Sequence, residues 1–468
     1  MTNKYINLIK NIAIFALGSI GSKVIVFLLV PLYTNYLTTE EYGIADLVFT
    51  VAQLIVPIVS LVIFDSVIRF GLEYSEHPEK VLHNGIVVWF FGNIFSLIAL
   101  PLTNLYPSVG SWKWHLYLYI LLDSLLAIEL NYLKVKNKNI SYAITCIIQT
   151  FFVAVFNIVF LVYLDMGING YLISTVFAML IAVIVAALFG NTIKDFLSVK
   201  TDSQLLKSMV KFSTPLVINN LAWWIIQSSN KMFIEVLLGS AALGLFTVAT
   251  RIPSLINVVV SVFQQAWGIS SVVEMDTTKD SDFFSNVFKL FTVGVFFASI
   301  ILNSIIKLFM WIYVGNDFFS AWRYVPLLVG AAAFSAIAAY FGSLYGALKK
   351  SINNMASTLS AGILNIVIAS VLIPLMGIWG AVIGTISAYF CLAAFRLIDI
   401  KRYIRFSIQY QTLIVNGMIV IVHAVLVSTD RLPLWGSVLV LLMFLIFNFR
   451  DIKFFIGQIF KKIRNHKI

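Results

Sequence analysis

Three basic side chains lie deep within long apolar segments of the sequence: Lys23, Lys231 and Arg251. If these segments cross a membrane, each cation at the bilayer centre costs about 2.5–3.5 kcal/mol on insertion scales, and it needs water, a carboxylate or an anionic ligand. One interpretation is a hydrated cavity that binds phosphate or pyrophosphate, because arginine offers paired hydrogen bonds and lysine a point charge. The other is structural pairing, for example between Lys231 and Glu235 one helical turn on.

Polar residues accompany these cations at helical spacing. They recur every three or four residues along the segments that hold Lys231 and Arg251, and they therefore share one helix face. The candidates for contact with an anionic ligand are Lys23, Lys231, Arg251, Asn220, Trp224, Gln227, Ser254 and Asn257. An earlier segment carries Asp46, Thr50 and Gln53 in a matching stripe. For any single serine or threonine, hydrogen bonding between packed helices is the alternative interpretation.

Four further charged residues are candidates for gating or ion coupling: Asp65, Arg69, Asp123 and Glu235. Asp65 and Arg69 are one helical turn apart, so they are expected to pair, either at a cavity rim or as a structural latch. Asp123 is the deepest lone carboxylate. It can pair with one of the cations, or it can bind and release a proton.

The composition identifies the elements that must position these side chains. The 468 residues are 60% hydrophobic and only 11% charged, whereas soluble domains are about 45–50% apolar and about 25% charged. A soluble fold is therefore excluded. The net charge of +11 does not indicate nucleic-acid binding, because the basic residues lie in short loops between apolar runs. Cys146 and Cys391 are isolated, which argues against a metal or redox site, and no cofactor is expected.

Apolar windows long enough to span a bilayer predict an all-α membrane protein of about fourteen helices. The predicted spans are residues 11–32, 44–67, 83–105, 115–133, 141–163, 169–189, 212–237, 243–268, 285–309, 323–345, 354–374, 378–398, 409–428 and 433–449. With the N-terminus inside, 25 of the 32 lysines and arginines fall on the cytoplasmic side and three fall outside. This asymmetry predicts that both termini are cytoplasmic.

An internal repeat divides the predicted helices. A constant offset of 201 residues pairs Lys10 with Lys211, and Gly43 with Gly244. Two like-oriented six-helix halves can be related by an axis along the membrane normal and can bind cargo between them. The predicted organisation is a six-helix bundle at 1–190, a cytoplasmic linker at 191–211, a second bundle at 212–400, and two peripheral helices with a basic tail at 401–468.

The opening Asn11, Phe15 and Gly18, the run 31–43 (PLYTNYLTTEEYG) and the basic stretch before Pro215 carry a resemblance to a known family. Over essentially its full length the chain resembles the polysaccharide-type flippases of the multidrug/oligosaccharidyl-lipid/polysaccharide exporter superfamily. The resemblance implies a bacterial inner-membrane location, alternating access, and undecaprenyl-pyrophosphate-linked oligosaccharide as cargo for capsule or O-antigen. It also implies proton or sodium coupling, contact with membrane lipids and other polysaccharide-assembly proteins, and cavity cations that match Lys23, Lys231 and Arg251.

Three alternatives stay open. A multidrug antiporter of the same superfamily would favour an acidic cavity, which the excess of cations argues against. A peptidoglycan-precursor flippase is harder to separate from an oligosaccharide flippase. A membrane glycan polymerase or ligase needs a large outside loop with catalytic polar residues. The outside loops here are mostly under about 15 residues, so we expect a transporter and not an enzyme.

Overall fold

The computed structural model describes residues 25–74, 76–277, 281–348, 350–404, 409–450 and 453. Within these ranges the chain is helical and contains no strand, which confirms the predicted all-α class. The α-helices are, in chain order, α1 Ile25–Tyr36, α2 Thr39–Val59, α3 Ile63–Glu73, α4 Pro78–Ala99, α5 Pro107–Gly110, α6 Lys113–Val135, α7 Asn139–Asn157, α8 Gly167–Gly190, α9 Thr192–Ser198, α10 Ser203–Leu238, α11 Ser240–Arg251, α12 Pro253–Thr277, α13 Ser281–Tyr313, α14 Val325–Ala347, α15 Ser351–Met376, α16 Ile378–Asp399, α17 Tyr410–Ser428 and α18 Leu434–Phe447.

The described part holds eleven helical segments that are long and apolar enough to cross a membrane. Two further apolar helices, α1 and α18, are shorter over their described residues. The chain is therefore a multi-pass membrane protein, as its composition predicts. The total of fourteen spans stays a prediction.

The second predicted span, residues 44–67, is broken. Helix α2 ends at Val59 and α3 begins at Ile63. Between them Leu61 and Val62 have φ angles of 50° and 53°, a left-handed conformation that is costly for a β-branched residue. The hydroxyl of Ser60 donates to the carbonyl of Val56 and accepts from the amide of Val62, and these bonds stabilise the break.

Helix α10 covers the seventh predicted span and begins before it, but it is not among the eleven helical segments that are apolar enough to cross a membrane. It starts at Ser203, where the Asp202 carboxylate accepts hydrogen bonds from the amides of Gln204 and Leu205. Its 36 residues make it about 54 Å long, well beyond an apolar core of about 30 Å. The segment 191–211 therefore consists largely of α9 and the first turns of α10.

Contacts divide the chain into two compact units, with the boundary between Gly244 and Leu245. In the first unit, α6 packs against α2, α3, α4 and α8. Buried apolar side chains of α3, α4, α6 and α10, among them Ile63, Leu82, Tyr132 and Met209, form one continuous cluster. The first unit is thus organised around α6.

The second unit is organised around α14, which packs against α12, α13, α16 and α17. The sequence of α14 is rich in alanine and glycine, and most of the helix is buried. Small residues allow helix backbones to approach closely in a membrane. Helix α13 contacts both α17 and α18, and the side-chain amides of Asn416 and Asn448 exchange two buried hydrogen bonds between α17 and α18.

The repeat predicted from the offset of 201 residues has a structural counterpart within the first unit. A Cβ atom added to Gly43 would lie 1.9 Å from the carbonyl oxygen of Ser240, and one added to Gly244 would lie 2.0 Å from the carbonyl oxygen of Thr39. The offset pairs Thr39 with Ser240 and Gly43 with Gly244, so the two contacts are reciprocal. The offset therefore pairs residues that are in reciprocal contact, while the division into two like-oriented six-helix halves stays a prediction.

Candidate functional site

The candidate site in the first unit is built around an ion pair between α2 and α10. The Nζ atom of Lys231 lies 2.7 Å from Oδ2 of Asp46. The Lys231 side chain is 24% exposed and that of Asp46 only 8%. The sequence suggested Glu235 as the structural partner of Lys231, and this suggestion is wrong. The partner lies on another helix, so the pair joins two elements.

The two residues of the pair are equally far from the ends of their helices. Asp46 is seven residues from the start of α2, and Lys231 is seven residues from the end of α10. Seven residues correspond to about 10 Å along a helix axis. Asp46 belongs to the polar stripe predicted for α2 but is not among the predicted site residues, because the predicted span begins at residue 44 whereas the helix begins at Thr39.

The polar face of α2 continues beyond Asp46. One turn on, the backbone carbonyl of Thr50 accepts a hydrogen bond of 2.8 Å from the indole Nε1 of Trp224 on α10. A further turn on, Gln53 hydrogen-bonds to the phenol of Tyr119 on α6. Asp123, one turn along α6 from Tyr119, interacts with that phenol electrostatically. The stripe therefore connects α10, α2 and α6.

Glu235 provides a second carboxylate near the end of α10. Its Oε1 atom accepts a hydrogen bond of 2.8 Å from the hydroxyl of Ser240, across the turn at Gly239, whose φ of 86° favours glycine. Its Oε2 atom is buried and has no hydrogen-bond partner among the described residues. Burial, and secondly the charge of Glu235, raise the pKa of Tyr106, which lies between two membrane spans.

The other predicted residues of α10 have different environments. The side-chain amide of Asn220 donates to the carbonyl of Leu216 on its own helix, and it is half-buried. Gln227 is exposed, and Trp224 is half-buried against α2. The indole nitrogen of Trp224 is thus used for helix packing, while its ring and Gln227 stay accessible.

Arg251, Ser254 and Asn257 belong to the second unit. Arg251 and Ser254 are half-buried, Asn257 is exposed, and the hydroxyl of Ser254 donates to the carbonyl of Arg251. Lys23 lies outside the described residues. The binding role of all eight predicted residues stays a prediction.

Asp65 and Arg69 do not form the ion pair that their spacing suggested. Among the described residues no salt bridge joins them; the Asp65 carboxylate instead interacts electrostatically with Lys134 on α6. Both residues lie on the short helix α3, after the break at Leu61 and Val62. They thus belong to a separate helix and not to the end of a continuous second span.

Arg396 on α16 is a buried cation that is absent from the predicted site residues, because it lies in the last turn of its helix, where a basic side chain usually reaches the membrane surface. Only 5% of it is exposed. Its guanidinium donates to the hydroxyls of Ser357 and Thr358 and to the backbone carbonyls of Ala338 and Asn354, at 2.7–3.0 Å. These neutral acceptors lie on α14 and α15, so Arg396 fastens three helices together.

Metal-ligating clusters are not found in the described ranges, where no group of three or more histidine, cysteine or acidic side chains could hold an ion.

Comparisons with known proteins agree with this architecture. At 14% identity and a TM-score of 0.70, the chain is similar in fold to a lipid II flippase MurJ in an inward closed conformation, over 94% of this chain and 99% of that one. It is also similar to a multidrug resistance MATE family transporter of the MOP superfamily, in its inward-facing conformation (13% identity, TM-score 0.64, covering 82% and 94%) and its outward-facing conformation (16%, 0.55, covering 84% and 96%). Among curated proteins no sequence matches the chain. The family model for polysaccharide biosynthesis proteins matches residues 8–267, more than half of the chain, and the chain therefore belongs to that family.

Proposed function

We propose that this protein is a flippase that moves an undecaprenyl-pyrophosphate-linked oligosaccharide across the bacterial inner membrane for capsule or O-antigen synthesis. It works by alternating access, coupled to a proton or sodium gradient, and catalyses no covalent step. The family is one of polysaccharide biosynthesis, and the fold is shared by a flippase of another lipid-linked precursor. These two findings support the class of cargo.

The Lys231–Asp46 pair is the observation that carries the proposal. Lys231, which lies in the seventh predicted span, keeps a quarter of its side chain exposed and is held by a carboxylate of a different helix. Such a lysine can exchange its carboxylate for the pyrophosphate of a lipid carrier, since both ligands are anionic and the second bears more charge. The exposed Gln227 and the ring of Trp224, on the same face of α10, are placed to contact sugar hydroxyls and sugar faces.

Alternating access requires that one end of the helices can open. Two contacts hold the start of α2 in place. The Lys231–Asp46 pair joins it to the end of α10, and the reciprocal glycine contacts at Ser240 and Thr39 join it to the start of α11. We infer that both contacts separate in the state that releases cargo. The pyrophosphate then takes the place of Asp46 on Lys231, which links cargo binding to opening.

Asp123 is our candidate for ion coupling. It interacts electrostatically with the Tyr119 phenol, and no ion pair joins it to a described cation. Through Tyr119 and Gln53 it is connected to the helix that carries Asp46. A proton or sodium ion on Asp123 would change the charge next to this path.

A multidrug antiporter is the second candidate, and one observation favours it. Asp46 balances the charge of Lys231, while Asp123 and Glu235 add acidic groups to the first unit. An organic cation could bind to such carboxylates. These carboxylates therefore offset part of the excess of cations seen in the sequence.

The test is replacement of the native gene in its host by Lys231→Met, with Lys307→Met as the matched control. Lys307 is also a membrane-helix lysine paired with an aspartate, but its pair with Asp430 is half exposed. We expect Lys231→Met to abolish surface glycan and to accumulate lipid-linked intermediates even when its expression is raised until the membrane holds as much protein as in the wild type, while Lys307→Met makes normal glycan. Normal glycan in Lys231→Met, or loss of drug resistance with intact glycan in a deletion strain, would contradict the proposal.

A further inference from the structure

An apolar cavity lies in the second unit. It has a volume of about 370 Å³, is open on one side, and is lined by α13, α14, α16 and α17. Its lining includes Phe296, Phe334, Phe390, Ala394, Gly417 and Met418. The lining is apolar throughout, apart from the hydroxyl of Tyr410 at one end. Its chemistry suits a hydrocarbon chain and offers nothing to a polar ligand.

We call this space the acyl cavity. Its length along the helices matches the thickness of one leaflet of a bilayer. Along α17 its lining runs from Tyr410 to Ile421, about 16 Å at the rise of an α-helix. A bilayer core is about 30 Å thick, so the cavity extends from one interface to near the midplane. A phospholipid acyl chain has this length, whereas an undecaprenyl chain is several times longer.

The interfacial end of the acyl cavity is basic. The Nζ atom of Lys401 lies 4.2 Å from the ring centroid of Tyr410, which lines the cavity. Arg402 follows, with its side chain 74% exposed, and its guanidinium lies 3.5 Å from Asp399. Within the described part of the chain, Lys401 has no carboxylate at ion-pair distance. The positive charge at this end therefore exceeds the negative charge.

We propose that the acyl cavity binds one chain of an anionic phospholipid, with its headgroup phosphate at Lys401. Basic pockets between membrane helices on the cytoplasmic side are suited to anionic headgroups, and Lys401 and Arg402 are in a loop that the charge asymmetry places on that side. The lipid fills the space between α17 and the helices α13, α14 and α16. It thereby attaches the peripheral helices to the rest of the unit, independently of which cargo the protein carries.

Gly417 offers a way to fill the cavity without distorting the helix. A Cβ atom there would meet only the Cζ atom of Phe296, at 4.0 Å. Gly417→Leu should therefore place a side chain where the acyl chain would lie. Gly294→Leu on α13 is the matched control, since nothing lies within 4 Å of its Cβ position.

The experiment measures binding of dioleoyl phosphatidylglycerol and dioleoyl phosphatidylcholine to the purified full-length protein, by native mass spectrometry and by the shift in Tm. We expect the wild type and Gly294→Leu to retain phosphatidylglycerol preferentially and to gain Tm from it, and Gly417→Leu to lose both effects. Lys401→Gln should weaken phosphatidylglycerol binding about five-fold, the effect of one basic side chain near an anionic headgroup.

Three results would overturn the proposal. The first is equal phosphatidylglycerol binding by Gly417→Leu and the wild type. The second is loss of that binding in Ala356→Trp, which alters the separate cavity of about 440 Å³ on the other face of α16. The third is displacement of phosphatidylglycerol by undecaprenyl phosphate, which would assign the cavity to the cargo. If Gly417→Leu does not fold, Ala394→Phe fills the same cavity from α16.

Discussion

The two units hold their buried charges in different ways. In the first unit, Lys231 is held by one ion pair with Asp46 on another helix, and the lysine keeps some exposure. In the second unit, Arg396 is almost fully buried and held by four neutral acceptors on α14 and α15. A single ion pair between two helices can open and reform, whereas the acceptors of Arg396 cannot be exchanged without unpacking three helices. Lys231 is therefore suited to a contact that changes during a cycle, and Arg396 is suited to a permanent structural role.

Replacing Arg396 should have the largest effect on stability. Arg396→Met removes the guanidinium and its four hydrogen bonds to the carbonyls of Ala338 and Asn354 and to two hydroxyls that join α14, α15 and α16, at an expected cost of about 3 kcal/mol or more. We expect little folded protein after fluorescence-detected size-exclusion chromatography. The control Arg402→Met removes an exposed guanidinium and should behave as the wild type. A normal yield of Arg396→Met would show that the guanidinium is not structural.

The reciprocal glycines should be the next most sensitive positions. Gly43→Ala and Gly244→Ala each place a Cβ atom about 2 Å from a backbone oxygen, and such overpacking costs about 1–3 kcal/mol. We expect similar decreases in Tm and in transport for both variants, because the two contacts are related by the repeat. Gly294→Ala, in open space, should leave Tm unchanged or slightly higher. A large effect at only one of the two glycines would argue against equivalence of the contacts.

The Lys231–Asp46 pair should show strong coupling in a double-mutant cycle. Asp46→Leu leaves the largely buried Lys231 without its carboxylate, at a cost of about 2 kcal/mol after allowance for its partial exposure. The double variant Asp46→Leu/Lys231→Met should regain a Tm close to that of the wild type, since replacing both members of a buried pair by apolar residues is often neutral. Additive losses in Tm would indicate that the two side chains do not interact.

The exposed pair Lys307–Asp430 should matter least. Both side chains are about half exposed, and surface ion pairs contribute about 0–1 kcal/mol. Lys307→Gln should lower Tm only slightly, and added salt should remove most of the difference. A decrease in Tm as large as that of Asp46→Leu would contradict the expectation that an exposed pair contributes less than a buried one.

Hydropathy was sufficient to predict the helices and the membrane class, because uncharged apolar runs of bilayer length are typical of membrane-spanning helices. The offset of 201 residues also predicted which glycines would be equivalent. The break at Leu61 and Val62 was not predictable, since neither residue favours a left-handed backbone. Local spacing failed for the charged residues as well. Lys231 pairs with Asp46 across helices and not with Glu235 along its own, and helix periodicity cannot report such a tertiary contact.

Arg396 is a second charged residue whose surroundings could not be predicted from the sequence. Its position near the end of a predicted span suggested a loop residue, and its burial follows from α14 and α15 packing over it. In both cases the sequence reports how deep a charge lies along its helix, but not what surrounds it. Lys231 could join two helices, bind the cargo, or do both. A test of cargo binding must therefore remove the cation while keeping the helix packing.

The most direct measurement is the flipping rate of lipid-linked oligosaccharide in proteoliposomes that contain the double variant Asp46→Leu/Lys231→Met. In this variant the helix packing is restored but the cation is absent. We predict wild-type stability with no flipping above protein-free liposomes. Flipping at the wild-type rate would show that the pair only joins α2 to α10, and it would contradict a role for Lys231 in binding the pyrophosphate.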